Sequence, residues 1–214
     1  MQRLFVVRIS TLMTLVMVIN FLLLCPLTVL PATTDGADSM SAEKARLLKG
    51  EIIVELTRLD QGVTGVSGKI FIAAPPDKVW DVLTDYNNHK NYIPKLIDSG
   101  LISDNGDEQV MFQKGKTTIF IFSKTVYIKL LVRGEYLKHL DFQEITGEFK
   151  VYRGKWILEN YQQGYGTFLA YESEVKPDFF APAFVVRSVQ RHDFPMVLAA
   201  MKARAESIFN PVSK

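Results

Sequence analysis

Residues 75–96 read PPDKVWDVLTDYNNHKNYIPKL, and this stretch decides the fold. The two prolines suit the first turn of a helix, where backbone N–H groups have no intrahelical partner. The apolar residues that follow share one helical face, and they are Val79, Trp80, Val82, Leu83 and Tyr86. Asn87 and Asn88 break this pattern, and a second short helix is expected before Pro94 ends it. The stretch therefore predicts two short helices separated by a kink, with Trp80 buried beneath a sheet.

Predicted strands surround this helix pair. A run over 68–73 leads into it, as the end of a strand over 63–73 that forms a hairpin with a strand over 51–59. After the helices, alternating apolar and polar residues predict further strands over 97–103, 109–114, 117–133, 136–144, 150–162 and 167–176. Short connections such as the Asn105-Gly106 turn indicate an antiparallel meander.

One long helix is predicted to close the domain. Asp193 can cap its start, with Pro195 in the first turn. The apolar stripe of this helix comprises Phe194, Val197, Leu198, Met201, Ala205 and Ile208. A sheet that curls around such a helix, with the two short helices closing one end, would form a cup.

Three tracts resemble a known superfamily: residues 79–96, 145–159 (ITGEFKVYRGKWILE) and 195–208 (PMVLAAMKARAESI). They are similar to the START-like superfamily, in the subgroup of polyketide cyclase/dehydrase or coenzyme Q-binding START domains. The resemblance spans residues 50–209 and consists of packing residues, so it bears on the fold more than on the function. It implies an α+β helix-grip fold, in which a curved antiparallel β-sheet wraps around a long C-terminal helix, with two short helices after the first strand.

The N-terminal segment differs in composition from the rest of the chain. Arg3 and Arg8 precede sixteen uncharged residues, 9–24, and a signal peptide over 1–32 is expected. The alternative is a membrane anchor over 9–30, which is long enough to span a bilayer core. A linker over 33–49, with a short helix around 42–48, a START-like domain over 50–209 and a tail over 210–214 would follow. The domain is then exported to a periplasmic, luminal or extracellular space, or is held at a membrane through its N-terminal segment.

Composition excludes several classes of partner. The chain has 25 basic and 23 acidic residues, and two of the basic ones lie in the predicted leader. The balanced remainder provides no reason to expect a nucleic-acid partner. Cys25 is the only cysteine and lies in the leader, so the domain has no disulfide and no cysteine metal site. A monomer without a cofactor is expected.

No catalytic or metal-binding motif stands out in the sequence. His89 lies in a polar tract and is expected on the solvated surface, and His139 alternates with apolar residues and should also face solvent. His192 beside Asp193 could form a dyad, but a polar cluster at the start of the last helix is the preferred interpretation. No catalytic residue and no metal ligand is therefore assigned.

Large apolar residues at alternate positions of the strands, which face the same side of the sheet, form the candidate site. They would be core in a filled domain, whereas in a curled sheet they would line a hollow that admits a ligand. The resemblance favours the hollow, because it implies a binder of lipids, quinones or polycyclic compounds. The expected ligand-binding residues are Phe120, Phe122, Leu130, Phe142, Trp156, Leu158, Leu169, Tyr171, Val186, Val197 and Met201.

Three functions remain open from the sequence. The first is non-enzymatic binding, transport or chaperoning of a hydrophobic small molecule between the sheet and the C-terminal helix. The second is a polyketide cyclase or dehydratase, which would need polar side chains deep in the pocket. The candidates for that role are Tyr127, Tyr152, Tyr171 and Arg187, of which only Tyr171 is predicted to face inward. The third is an interaction domain with a filled core.

Overall fold

The computed structural model describes residues 35–119 and 122–210, so the predicted signal peptide or anchor lies outside the described residues. The chain divides into two units, residues 1–41 and residues 42–214. The second unit contains the whole sheet and the helices that pack on it. Within the described ranges, no helix combines the length and the apolar character needed to cross a membrane.

The described elements alternate as the sequence predicts, with eight strands between the first and last helices. The helices are α1 (Asp35–Leu48), α2 (Pro76–Thr84), α3 (His89–Tyr92) and α4 (Ala183–Phe209). The strands are β1 (Ile53–Arg58), β2 (Thr64–Ile72), β3 (Leu96–Asp104), β4 (Gln109–Ile119), β5 (Phe122–Glu135), β6 (His139–Gly147), β7 (Phe149–Tyr161) and β8 (Gly166–Pro177).

The strands form one antiparallel sheet in the order β1-β2-β8-β7-β6-β5-β4-β3. Residues of β2 alternate strictly between buried and half-buried positions, as expected for a strand with one face on a core. Helix α4 packs on β1 and β2 and against α2. The α+β helix-grip prediction is confirmed, and the two short helices follow β2, the second strand of the predicted hairpin.

Helix α2 buries the predicted face, with one exception. Val79, Val82 and Leu83 are almost fully buried. Trp80 was expected to be buried beneath the sheet, and it packs against the core but is less buried than expected. Its side chain is half-buried, and its ring meets the exposed Tyr136 ring edge-on at 5.3 Å between centroids. One helical step from Val79 turns Trp80 by about 100°, to the margin of the buried face.

The residues of the predicted strand over 117–133 belong to two different strands, β4 and β5. Strand β4 continues to Ile119 and β5 begins at Phe122, and these two residues pair with each other. The chain therefore reverses where the sequence carries no glycine, proline or asparagine to indicate a turn. Within β5, Ile128, Leu130 and Val132 are buried and Val126 is half-buried, so these alternate residues share the face that packs on the core.

Helix α4 begins ten residues before the predicted cap at Asp193. The carbonyl of Pro182 accepts hydrogen bonds from the N–H groups of Val185 and Val186, at 2.8 and 3.2 Å. Pro195 therefore lies inside the helix, where it removes one backbone hydrogen bond. Tight packing on both sides of Pro195 offsets that loss, since Phe194 and Leu198 are buried at 6% and 0% exposure.

Helix α1 is longer than the short helix predicted around 42–48. Leu47 is 2% exposed and packs with Ile53 and Phe168. Phe168 points away from the face that carries Leu169, so this small cluster lies on the opposite face of the sheet from α4. Glu43 also pairs with Lys69, at 2.8 Å between the carboxylate and Nζ.

Candidate ligand-binding cavity

A cavity of about 330 Å³ lies between the sheet and α4. Strands β4 to β8 supply one side of its wall, while α4 and the α2–α3 region supply the other. Seven of the expected ligand-binding residues line it, namely Leu130, Phe142, Trp156, Tyr171, Val186, Val197 and Met201. The sheet face predicted from strand parity therefore borders a hollow over part of its area.

Two of the expected residues, Leu158 and Leu169, do not line this wall. Leu158 and Leu169 face each other across β7 and β8 and are buried in the core. Helix α2 contacts both strands, which explains why this part of the concave face is filled. Phe120 lies outside the described residues, and for Phe122 only the backbone at the start of β5 is described.

Aromatic rings form a continuous section of the cavity wall. The Tyr171 ring lies 5.6 Å from Phe142 and 4.5 Å from Trp156, between centroids. It also lies 4.5 Å from Phe194 on α4, so strand and helix meet through these rings. Tyr152 extends the section through its contact with Phe142 at 5.5 Å. Offset and tilted ring contacts are favourable, so these rings stabilise one another in this arrangement.

Two phenols give the apolar wall its polar groups. Tyr152 lines the cavity beside Tyr171, which corrects the prediction that only Tyr171 faces inward. Burial raises the pKa of Tyr171 well above its ordinary value and also raises the pKa of Tyr152. Both side chains are therefore neutral hydroxyls at physiological pH, able to donate a hydrogen bond. Tyr127 and Arg187, the other candidates, do not line the cavity.

His89 is buried at 3% exposure and borders the cavity, so the prediction of a solvated surface residue is wrong. Its Nε2 lies 3.0 Å from the carbonyl oxygen of Val82, which requires Nε2 to carry the hydrogen and to donate. The amide nitrogen of Gln113 lies 3.5 Å from Nδ1, the acceptor nitrogen. Burial lowers the pKa of His89 and keeps the imidazole neutral.

The other two histidines lie apart from the cavity. His139 is partly exposed, as predicted, with Nε2 at 3.2 Å from the Asp141 carboxylate. Nδ1 of His192 lies 2.8 Å from the carboxylate of Asp193, but the pair sits in the middle of α4 and not at a helix start. The described residues contain no group of three or more His, Cys, Asp or Glu placed to hold a metal ion.

Charged groups meet at the cavity rim. Pro94, Lys95 and Lys116 are exposed and line the same cavity. Lys95 Nζ lies 2.7 Å from the Asp193 carboxylate, which joins the loop after α3 to α4. The Lys95 carbonyl accepts a hydrogen bond from the Lys116 N–H at 2.9 Å, which ties that loop to β4. The ion pair between Lys95 and Asp193 thus bridges two of the elements that border the mouth.

Comparison with known proteins places this geometry in context. A family model described as polyketide cyclase/dehydrase and lipid transport matches residues 72–202, more than half of the chain. No curated protein matches the sequence. The fold is similar to solved structures at low sequence identity, and at such identity the likeness concerns the fold alone.

Three of these structures have different names but a similar fold. The Zhui aromatase/cyclase from a Streptomyces species has a TM-score of 0.61 at 14% identity, over 69% of this chain and 96% of that chain. Human STARD10 has a TM-score of 0.55 at 14% identity, over 83% and 81%. A STAR-related lipid transfer protein from Xanthomonas axonopodis has a TM-score of 0.54 at 14% identity, over 71% and 98%.

Proposed function

The chain belongs to the polyketide cyclase/dehydrase and lipid transport family, and from that premise we propose that it binds and carries an uncharged hydrophobic small molecule without altering it. The observation that carries this proposal is the hollow of about 330 Å³ between sheet and helix. A structural domain with a filled core would not leave such a space behind rigid aromatic walls, because interiors normally pack to the density of organic crystals.

The apolar wall supplies an affinity suited to reversible carriage. Burying about 300 Å² of ligand surface contributes roughly 7 kcal/mol before costs. Loss of ligand motion and side-chain ordering removes several of these, which leaves a dissociation constant on the order of micromolar. A carrier must release what it binds, so this range is appropriate.

The polar groups inside the cavity favour an uncharged ligand that bears an oxygen atom. Tyr152 and Tyr171 are neutral donors, and the neutral His89 and the amide of Gln113 add no charge. The charged residues that line the cavity, Lys95, Lys116 and Asp193, lie at its rim, so an ionised group buried beside the phenols would lose its hydration without a charged partner. A carbonyl or ether oxygen, in contrast, can accept a hydrogen bond from a phenol at little cost.

A cyclase or dehydratase is the second candidate, and His89 is the observation that favours it. A neutral imidazole has one acceptor nitrogen, here Nδ1, that could act as a general base beside two phenol donors. However, His89 is only 3% exposed and its ring is held between Val82 and Gln113, so little of it can reach a substrate. Carriage is therefore the better supported function.

Filling the cavity tests carriage directly. Met201 is 4% exposed and lines the cavity, so Met201→Trp should occupy the hollow. We expect the variant to lose binding of the uncharged dye Nile red by about tenfold or more while keeping its midpoint in urea. Ile208→Trp is the control, because Ile208 lies on the same helix but does not line the cavity. It should bind as wild type does.

The opposite outcome would assign a filled core. In that case wild type would bind no Nile red, and Met201→Trp would cost about 1–3 kcal/mol of stability through overpacking. Native mass spectrometry of the purified chain would add a second reading, since a carrier should retain a small molecule during purification. A small-molecule adduct that is absent from Met201→Trp would support carriage.

A further inference from the structure

The segment that connects β8 to α4, residues 178–184 (DFFAPAF), is unusually apolar for a surface loop. Phe180 is 92% exposed, which is the highest exposure among the large hydrophobic residues that the structure describes. Phe184, in the first turn of α4, is 60% exposed. An aromatic side chain held almost wholly in water gains nothing for folding, so its presence points to an interaction.

This segment is part of the cavity mouth. Phe179 and Ala181, the two neighbours of Phe180, both line the cavity, and Val185 lines it from the first turn of α4. The Phe179 ring is fixed beneath Lys124, whose Nζ lies 4.4 Å from the ring centroid. The exposed aromatic residue is therefore mounted on a braced part of the rim and not on a free end of chain.

The charges around the segment are unbalanced toward positive. Three acidic residues near it are each paired with a lysine: Asp178 with Lys150, Glu148 with Lys124, and Asp193 with Lys95. Lys116 and Arg191 are exposed, and neither has an acidic partner among the residues described. Arg191 lies two helical turns beyond Phe184 on α4, so the two share a face. The rim thus combines protruding aromatic rings with uncompensated cations.

We propose that residues 178–184 and the cations beside them form a docking surface for a lipid bilayer that contains anionic lipids. Aromatic side chains flanked by Lys and Arg suit the interface, where rings enter the acyl boundary and cations meet phosphates. Docking would turn the mouth toward the bilayer, and, under the proposed function, the ligand would then leave without crossing water.

A tryptophan placed at the rim reports this docking in the full-length chain. Phe180→Trp is compared with Tyr165→Trp, because Tyr165 is 78% exposed in the β7–β8 connection and does not line the mouth. Vesicles of phosphatidylcholine with phosphatidylglycerol carry a spin-labelled lipid that quenches tryptophan at the bilayer surface. Trp80 and Trp156 contribute equally to both variants, so the difference between them isolates the new side chain. The comparison also cancels any binding by the N-terminal segment.

We expect emission from the tryptophan at position 180 to shift to the blue and to be quenched, and both effects to weaken with added salt. Emission from position 165 should change little. Phe180→Ser should lower the rate of Nile red transfer from protein to vesicles about tenfold, with Nile red affinity in solution unchanged. Equal quenching at both positions, or none at 180, would overturn the docking surface. Quenching at 180 that required another protein would assign a protein partner instead.

The outcome of this experiment can be distinguished from the outcome of the carriage test. If wild type binds no Nile red but position 180 is quenched selectively, the docking surface stands and carriage fails. If wild type binds Nile red and position 180 is not quenched, the docking surface alone fails.

Discussion

At the scale of single residues, the phenol pair should set which ligands the cavity prefers. Tyr171→Phe keeps the ring that contacts Phe142 and Trp156 but removes a hydrogen-bond donor. We expect affinity for a long-chain methyl ketone to fall about fivefold, the value of one neutral hydrogen bond, and affinity for the alkane of equal length to stay constant. Displacement of Nile red measures both.

Tyr127→Phe is the matched control for Tyr171→Phe, since Tyr127 lies on β5 but does not line the cavity. It should leave both affinities unchanged. An equal loss for ketone and alkane in Tyr171→Phe would indicate a change in packing and would remove the phenols from ligand selection.

Two residues show which parts of the cavity wall could be predicted from the sequence and which could not. Tyr152 was predictable, because it is four residues from Trp156 on β7 and strand alternation places both on one face. His89 was not, because its neighbours Asn87 and Asn88 are exposed and the local sequence is polar. Its burial depends on where the kink after α2 directs the chain, and on the carbonyl of Val82 that receives its N–H. Such partners are set by tertiary structure.

At the scale of elements, the ion pair between Lys95 and Asp193 should restrain the mouth. It joins the loop after α3 to α4, and both elements border the cavity. We expect Asp193→Asn to speed release of bound Nile red several-fold, measured by stopped-flow dilution, and added salt to speed release from wild type. Stability should change by less than about 1 kcal/mol, as for other exposed pairs.

Glu159→Gln provides the control for that experiment. It removes the partner of Lys44 in an exposed pair that does not border the cavity. Release from this variant should match wild type. If release from Asp193→Asn were unchanged, the ion pair would not restrain the mouth.

The elements themselves were largely predictable, and two of the errors have local causes. Apolar alternation located the strands of the meander, but it could not reveal the reversal between Ile119 and Phe122, where no turn residue occurs. Pro195 suggested a helix start, whereas α4 begins at Ala183. Propensity is a weak guide when packing on both sides of a proline stabilises the helix through it.

At the scale of the whole molecule, the hollow depends on how closely α4 approaches the sheet. No local pattern encodes that distance, which is why the sequence left filled and hollow interiors open. At Gly68 on β2, which pairs with Tyr171 on β8, helix α4 comes very close to the strand. A Cβ at Gly68 would stand 2.4 Å from Phe194 Cε1 and 3.0 Å from Leu198 Cδ1, both on α4. Because Gly68 has no side chain, α4 can pack directly against β2 at this point.

Gly68→Ala should therefore narrow the cavity as well as destabilise the fold. The added methyl group must displace the Phe194 ring, which is 6% exposed and contacts the cavity-lining Tyr171 at 4.5 Å. We expect a loss of about 1–3 kcal/mol in urea denaturation, as for other overpacked cores, together with weaker Nile red binding. Gly65→Ala is the matched control on the same strand, because its Cβ would meet Leu59 and Thr57 at 3.4 Å or more, an ordinary contact. If both variants kept the stability and affinity of wild type, the sheet and α4 would have to be free to separate, and the cavity would not be preformed.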